Sequence, residues 1–333
     1  MNDPGTRHAA DDARRLSGLT AQVRAAYGFR FPADIVLTAG PRGALGQIWR
    51  VNDTFALKEL FGTPPPQPVL DAELQFSALA SAAGVRLPLS HPDHDGQYLH
   101  QTLDGTWLRL YDWIDLHPVD LSAPSTPADL GALLARLHRC APPATPDGEP
   151  WYDQVPTADS WPDAPPQFSG RLAERLAELP DLCADIAPAD PADLIVCHRD
   201  LHPENILADP HGSLVVVDWD NLGPAAPQRE LARVLFDWYC PGPTIDLDAM
   251  RALYAAYIRE GGPGRITDPA DFTMLLACRL NFLLAQLRIT LNPDADPRHH
   301  TWATREIDES LHILPTRPHL TAVLTTLHPS SHP

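Results

Sequence analysis

Lysine is almost missing from this chain. Of 25 Lys and Arg side chains only one is a lysine, Lys58. A lone ammonium among guanidiniums is a compact point charge in a chain that otherwise writes a flat fork, and the two are not interchangeable. Cysteine is sparse as well. Cys140, Cys183, Cys197, Cys240 and Cys278 are scattered, odd in number and without a CxxC pair, which excludes a disulfide framework and a cysteine-rich zinc site and fits a reducing compartment. Basic charge is short overall: the formal net charge of −18 removes nucleic acid and anionic membrane as main partners. The same acidity would welcome a cationic small molecule, although it also serves solubility. No uninterrupted apolar run reaches membrane length, because Met274 to Leu291 is broken by Arg279, Asn281, Gln286 and Arg288. The opening Met1-Asn2-Asp3-Pro4-Gly5 has neither the basic nor the apolar part of a signal peptide. The expectation is a soluble, cytoplasmic protein.

With 333 residues, 44% of them hydrophobic, the chain can bury two cores. Leu16, Leu19, Val23 and Ala26 recur at helical spacing. Short apolar runs follow at 35–38, 47–51 and 54–60, divided by Gly40-Pro41-Arg42-Gly43-Ala44-Leu45-Gly46 and by Asn52-Asp53, and they read as strands. A helix is expected over 69–83, and further strands over 85–90, 97–103 and 106–111. After Tyr111 the pattern turns mainly helical, with helices expected over 127–139, 169–179, 229–239, 246–260, 270–291, 300–314 and 318–327. Apolar β runs at 194–197, 205–207 and 214–217 interrupt them. Residues 141–168 are crowded with proline and carry Trp151, Tyr152 and Trp161; that composition fits a semi-rigid linker better than a substrate wall.

Chemistry concentrates in His198-Arg199-Asp200-Leu201-His202-Pro203-Glu204-Asn205. An aspartate and an asparagine five residues apart, between β runs, let a carboxylate reach a hydroxyl while an amide oxygen turns toward a metal. Thirteen residues after Asn205, an apolar strand delivers Asp218 at its end. Hard oxygens from two neighbouring strand ends suit Mg²⁺ carrying phosphates. Gly43 to Ile48, with Gly43 and Gly46, is a glycine loop able to approach phosphate. Lys58 lies one strand further on, and Glu73 on the next helix is placed to pair with its ammonium. Together these are the parts of a phosphoryl-transfer site.

Over about residues 34 to 290 the chain resembles the aminoglycoside phosphotransferase and choline kinase-like family, which shares a two-lobed fold with protein kinases. The resemblance implies an α+β protein kinase-like fold, with a small β-rich N-lobe over 1–111 and a larger, mainly helical C-lobe over 112–333. It implies Lys58 as the nucleotide lysine, Glu73 as its helix glutamate, Asp200 as the catalytic aspartate and Asn205 and Asp218 as metal ligands, all meeting around a magnesium-bound triphosphate. Leu110-Tyr111-Asp112-Trp113-Ile114 resembles the hinge, where backbone near Asp112 and Ile114 would bind the base. Residues 130–138 resemble the helix entering the C-lobe, with a packing role. ATP (or GTP) and Mg²⁺ are the implied cofactors, and a small-molecule hydroxyl the implied acceptor, first an aminoglycoside-type antibiotic.

Departures sharpen this reading. Pro41 stands where protein kinases have their first glycine. His202 replaces the lysine that Ser/Thr protein kinases carry two residues after the aspartate, and Asp218-Trp219-Asp220 replaces DFG. Only a short stretch separates Asp218 from Glu230-Leu231-Ala232, which leaves no room for a long activation segment. Asp220 is an auxiliary metal ligand or, by preference, a turn residue. His198 and His202 lack a third ligand nearby, so zinc is not expected. Arg229-Glu230 is expected to anchor the catalytic loop. Late carboxylates, Asp237, Asp268, Asp271 and Asp308 among them, include candidates for the wall of a cationic pocket and ordinary surface charge alike. A metabolic kinase for choline, a sugar or an amino-acid hydroxyl is the alternative; a protein kinase or a non-catalytic nucleotide-binding regulator fits less well.

Overall fold

Alternation of period two in the first third of the chain and a period near 3.6 in the rest produce two units of different character. The computed structural model describes residues 4–31, 34–42 and 46–328. Residues up to Leu74 together with Leu87–Leu116 form the first unit; Gln75–Arg86 together with the residues from His117 onward form the second.

The first unit opens with helix α1 (Pro4–Tyr27) and contains strands β1 (Leu37–Arg42), β2 (Gly46–Val51) and β3 (Phe55–Leu60). Helix α2 (Gln67–Ala82) starts in it, and β4 (Ser90–His91), β5 (His100–Gln101) and β6 (Trp107–Asp112) complete an antiparallel sheet in the order β1-β2-β3-β6-β4, with β5 beside β6. Asn52 and Asp53 turn β2 into β3 with φ of +50° and +55°, a conformation their short polar side chains tolerate. Side chains alternate across β3: Leu57 and Glu59 are buried on one face, and Lys58 points to the other. The Leu57 face receives α1, whose Leu19, Val23, Ala26 and Tyr27 form a core with Ile35, Leu37, Val51, Leu108 and Leu110. Glu59 is tolerated in that core because Arg15 (2.6 Å) and the Trp49 indole N–H (2.9 Å) satisfy its carboxylate.

The second unit is mainly helical. Its elements are α3 (Thr126–Cys140), α4 (Ser169–Leu182), two short antiparallel ribbons, α5 (Pro227–Tyr239), α6 (Leu247–Arg259), α7 (Thr273–Leu291), α8 (Pro297–Ile313) and α9 (Arg317–Leu327). The ribbons pair β7 (Ile195–Cys197) with β10 (Gly223–Ala225) and β8 (Ile206–Ala208) with β9 (Leu214–Val216). The strand at 223–225 escapes a sequence reading because Gly-Pro-Ala carries no β signal. Pro269–Leu291 is long and apolar enough to cross a membrane by length and composition. It is nevertheless mostly buried within the unit, as a core helix is, and its polar residues are spent on tertiary contacts: Arg279 on Asp237, Asn281 on the carbonyls of Trp151 and Gln154.

The proline-rich segment is not a linker. Trp151 and Tyr152 pack against Cys197, Ala225, Met274 and Cys278, and Asp153 is held by Arg229 at 2.9 Å. Two aromatic side chains supply enough apolar surface to fix a stretch whose proline content already limits its freedom.

Candidate functional site

Three of the sequence candidates are brought together in the second unit by its two ribbons. Asp200 lies on the loop that leaves β7, Asn205 precedes β8, and Asp218 follows β9. Because β8 and β9 are antiparallel with Ile206 opposite Val216, the start of one and the end of the other lie at the same end of the ribbon. The Val217 amide donates to the Asn205 carbonyl at 2.9 Å, extending the ladder by one step and setting Asp218 beside Asn205. Asp218 then turns with φ of +56°, and Arg199, just before Asp200, has φ of +64°. Two non-glycine residues in the left-handed region flank the candidate site, each at a cost of order 1–3 kcal/mol that the surroundings must offset.

Those surroundings are identifiable. The Arg199 amide donates to Glu230. Glu230 in turn accepts from Nε2 of His138 (2.7 Å), whose Nδ1 takes the Tyr257 hydroxyl (2.8 Å), which accepts from the Gly264 amide (2.8 Å). Burial opposes the charge on Glu230, but His138 and the Arg199 amide outweigh it and hold the carboxyl below its ordinary range. The Arg199 guanidinium lies 3.9 Å over the Tyr152 ring and donates to the carbonyls of Asn221 (2.7 Å) and Leu222 (3.0 Å). Glu230 therefore anchors the loop as its position suggests. Arg199 bolts that loop to the turn after Asp218 and to the proline-rich segment.

Asp200 is held through both of its carboxylate oxygens. Its Oδ1 accepts from Arg233 of α5 at 2.7 Å, and its Oδ2 from the amides of Asn221 (3.0 Å) and Asn205 (3.2 Å), with the His202 ring 3.6 Å away. Burial works against its ionisation, yet His202 and the Arg233 charge more than compensate and hold it well below the usual carboxylate range. The Asn205 amide nitrogen also donates to the Asp200 carbonyl at 2.9 Å. With its nitrogen so committed, the amide directs its oxygen away from Asp200. Asn205 and Asp218 together offer one amide oxygen and one carboxylate, both hard donors, and the chemistry of that set fits a magnesium ion carrying phosphate. Asp220 sits in a short 3₁₀ turn, Trp219–Asn221, and is half-buried.

The remaining candidates belong to the first unit. Gly43 lies outside the described residues. Gly46 is buried at the start of β2, where a Cβ would come within 2.6 Å of the Glu59 carbonyl oxygen, so a close strand approach demands glycine there. The Gln47 amide donates to the carbonyls of Gly40 (2.8 Å) and Pro41 (3.1 Å), clamping the strand ends that flank the loop. Ile48 stands opposite Lys58, and Lys58 opposite Arg109, so the three share one face of the sheet. Glu73 of α2 receives Arg109 in a two-pronged pair at 2.7 and 2.8 Å, buried from solvent. Arg109 was not among the expected residues; its signal is a charge between Leu108 and Leu110 in a strand with leucines on the other face. At the end of β6 the Asp112 carboxylate accepts from His91 (2.6 Å) and the Leu89 amide (3.1 Å). The amides of Asp112 and Trp113 are taken by Leu89 and Thr54, and Ile114 follows them half-buried.

Several late carboxylates have structural employment. Asp237 is shared by Arg233 (3.1 Å) and Arg279 (2.9 Å), Asp268 and Asp271 form a capping box, and Asp308 pairs with Arg171 (2.6 Å).

The chain belongs to the phosphotransferase enzyme family (APH), which it matches over residues 37–267, and is thereby a phosphotransferase of the small-molecule kinase class. Its fold is shared with solved kinases. The crystal structure of spectinomycin phosphotransferase APH(9)-Ia in complex with ADP and spectinomycin aligns with a TM-score of 0.62 at 15% identity, covering 93% of this chain and 98% of that one. Amicoumacin kinase hAmiN, solved in complex with AMP-PNP, Ca²⁺ and Ami, gives 0.60 at 15% identity over 94% and 99%. A choline/ethanolamine kinase family protein from Mesorhizobium loti gives 0.55 at 18% identity over 93% and 99%. No curated protein matches the chain in sequence.

Proposed function

We propose that the protein transfers the γ-phosphoryl group of ATP (or GTP) to a hydroxyl of a small amine-bearing molecule, first an aminoglycoside-type antibiotic, as a cytoplasmic resistance enzyme. The observation that carries the reading is the arrangement of Asp200 with Asn205 and Asp218: a fixed, ionised carboxylate beside two hard oxygen donors. Asp200 accepts a hydrogen bond from the acceptor hydroxyl and aims its oxygen. Being so weakly basic, it takes the proton late, which a loose phosphoryl-transfer transition state permits. Asn205 and Asp218 are the residues to hold Mg²⁺, which when bound supplies positive charge to the phosphate oxygens.

In the nucleotide-binding part, Lys58 holds phosphate oxygens, and Glu73, itself fixed by Arg109, orients that ammonium. Gly43, Gly46 and Ile48 belong to the phosphate-covering hairpin, and the backbone at Asp112 and Ile114 receives the base. The net charge of −18 and the amino-alcohol and antibiotic substrates in the names of the solved relatives support an amine-bearing acceptor.

One observation favours a second reading, a metabolic kinase with a neutral hydroxyl acceptor such as a sugar. Arg233 and His202 crowd Asp200, so the carboxylate does not by itself attract an ammonium. A protein-kinase role is opposed by the segment after Asp218, which is used up by one turn and β10 before α5 begins at Pro227.

A coupled ADP-release assay over aminoglycosides, other antibiotics, choline, amino alcohols and sugars tests the choice. An aminoglycoside-type acceptor is expected to raise ADP release at least about tenfold over the acceptor-free rate. Stimulation by a sugar alone selects the second reading. Tight nucleotide binding with no stimulation by any acceptor contradicts both.

A further inference from the structure

Arg233 stands on α5, 33 positions along the chain from Asp200, and every part of its guanidinium is engaged. One nitrogen donates to Oδ1 of Asp200 at 2.7 Å, a second to the Arg199 carbonyl and to Cys278 Sγ (3.6 Å), and Nε to Asp237 at 3.1 Å. Asp237 passes the constraint on: its other oxygen accepts from Arg279 of α7 at 2.9 Å, and Arg279 also donates to the Ile313 carbonyl at the end of α8. A chain of alternating charge thus runs from the catalytic loop through three helices.

A pair serving only to stabilise α5 would be complete with Arg233 and Asp237, which are four residues apart on one helix. Arg233 instead reaches off the helix to the one carboxylate expected to meet the acceptor. Its fork also grips the backbone carbonyl immediately before Asp200, so side chain and main chain of the loop are fixed by the same rigid group. With Oδ2 of Asp200 restrained by Asn205 and Asn221, the hold on Oδ1 leaves the carboxylate a single orientation.

We propose that Arg233 is a positioning residue for phosphoryl transfer: it sets the orientation of Asp200, and through it the acceptor hydroxyl, without binding nucleotide. This rests on the role given to Asp200 above. Misaimed reacting groups lose about a hundredfold in rate for displacements near 1 Å, and a carboxylate held through Oδ2 alone can swing about that oxygen.

The test is steady-state kinetics on the full chain with the best acceptor, for Arg233→Ala, Arg233→Lys and Asp237→Asn, with circular dichroism as the folding control. Arg233→Ala is expected to lower kcat by about 30-fold or more while KM for ATP stays within about threefold. Arg233→Lys should recover part of kcat, since an ammonium can reach one of the two acceptors. Asp237→Asn, one link removed, should show the same split with a smaller loss. A folded Arg233→Ala enzyme with kcat within twofold of the parent overturns the proposal; so does a loss shared equally by kcat and ATP affinity that Arg233→Lys does not relieve. If Arg233→Ala does not fold, Arg233→Lys and Asp237→Asn carry the same comparison. Asp200→Asn separates the two ideas: if it turns over like the parent, the role of Asp200 fails, whereas an inactive Asp200→Asn beside unaffected Arg233 variants sinks only this inference.

Discussion

His198 shows how burial at one residue sets a property of the whole protein. Its Nε2 donates to the Val217 carbonyl at 3.2 Å and its ring meets Trp219 edge-on, while Nδ1 has no hydrogen-bond partner among the described residues. Burial pushes its pKa down and prevails over the opposing charges of Glu230, Asp200 and Asp218. A second proton on Nδ1 would be a buried donor with nothing to receive it. The folded protein therefore holds this ring neutral to a lower pH than the unfolded chain, which titrates it near pH 6.5. Below that value the unfolded state binds the extra proton, so stability is intact above about pH 6.5 and falls as pH drops, by up to about 1.4 kcal/mol per pH unit. Melting temperatures from pH 8 to pH 5 should show the decline, and His198→Phe should flatten part of it; an unchanged slope in that variant contradicts the assignment. At this scale the run from His198 to Asn205 was legible because its spacing is local. Arg109 and Arg233 were not. Each meets its partner more than 30 residues away, and in a chain with 24 arginines an individual arginine carries no signal.

At the scale of elements, periodicity located the principal helices and strands to within a few residues, because each must bury one face. Its failures have separate causes. Strand β10 has no β-branched residue, and it exists because β7 offers it an edge. In the segment 141–168 proline content describes stiffness, whereas Trp151 and Tyr152 decide whether a stiff segment docks. The best example of an element-level constraint is the crossing of α3 with α6. At Gly131 a Cβ would fall inside the contact radius of the Leu253 carbonyl oxygen, with Ala256 and Tyr257 close behind. The helices approach backbone to backbone there, which explains a packing role for this stretch. Gly131→Ala should destabilise the protein by about 1–3 kcal/mol despite the better helix propensity of alanine, as read by urea unfolding. A neutral or stabilising result would show that the helices can separate without cost.

For the molecule as a whole, the α+β kinase-like fold and the phosphotransferase class follow from a few well-spaced residues, whereas the acceptor does not. The net charge of −18 is a property of the entire chain, and the loop that carries Asp200 does not share it, since Arg233 and His202 stand against that carboxylate. Composition therefore speaks to the attraction of a cation at a distance and leaves recognition near the hydroxyl to local groups. The central claim is that Asp200 aligns an acceptor hydroxyl for transfer of the γ-phosphoryl group. Its most direct test is a single-turnover experiment with γ-labelled ATP and the best acceptor, comparing parent and Asp200→Asn enzyme at saturating nucleotide, with label followed into the acceptor. Transfer is expected with the parent, with a rate at least about a hundredfold lower for Asp200→Asn and nucleotide affinity preserved. Equal transfer rates in the two proteins would contradict it.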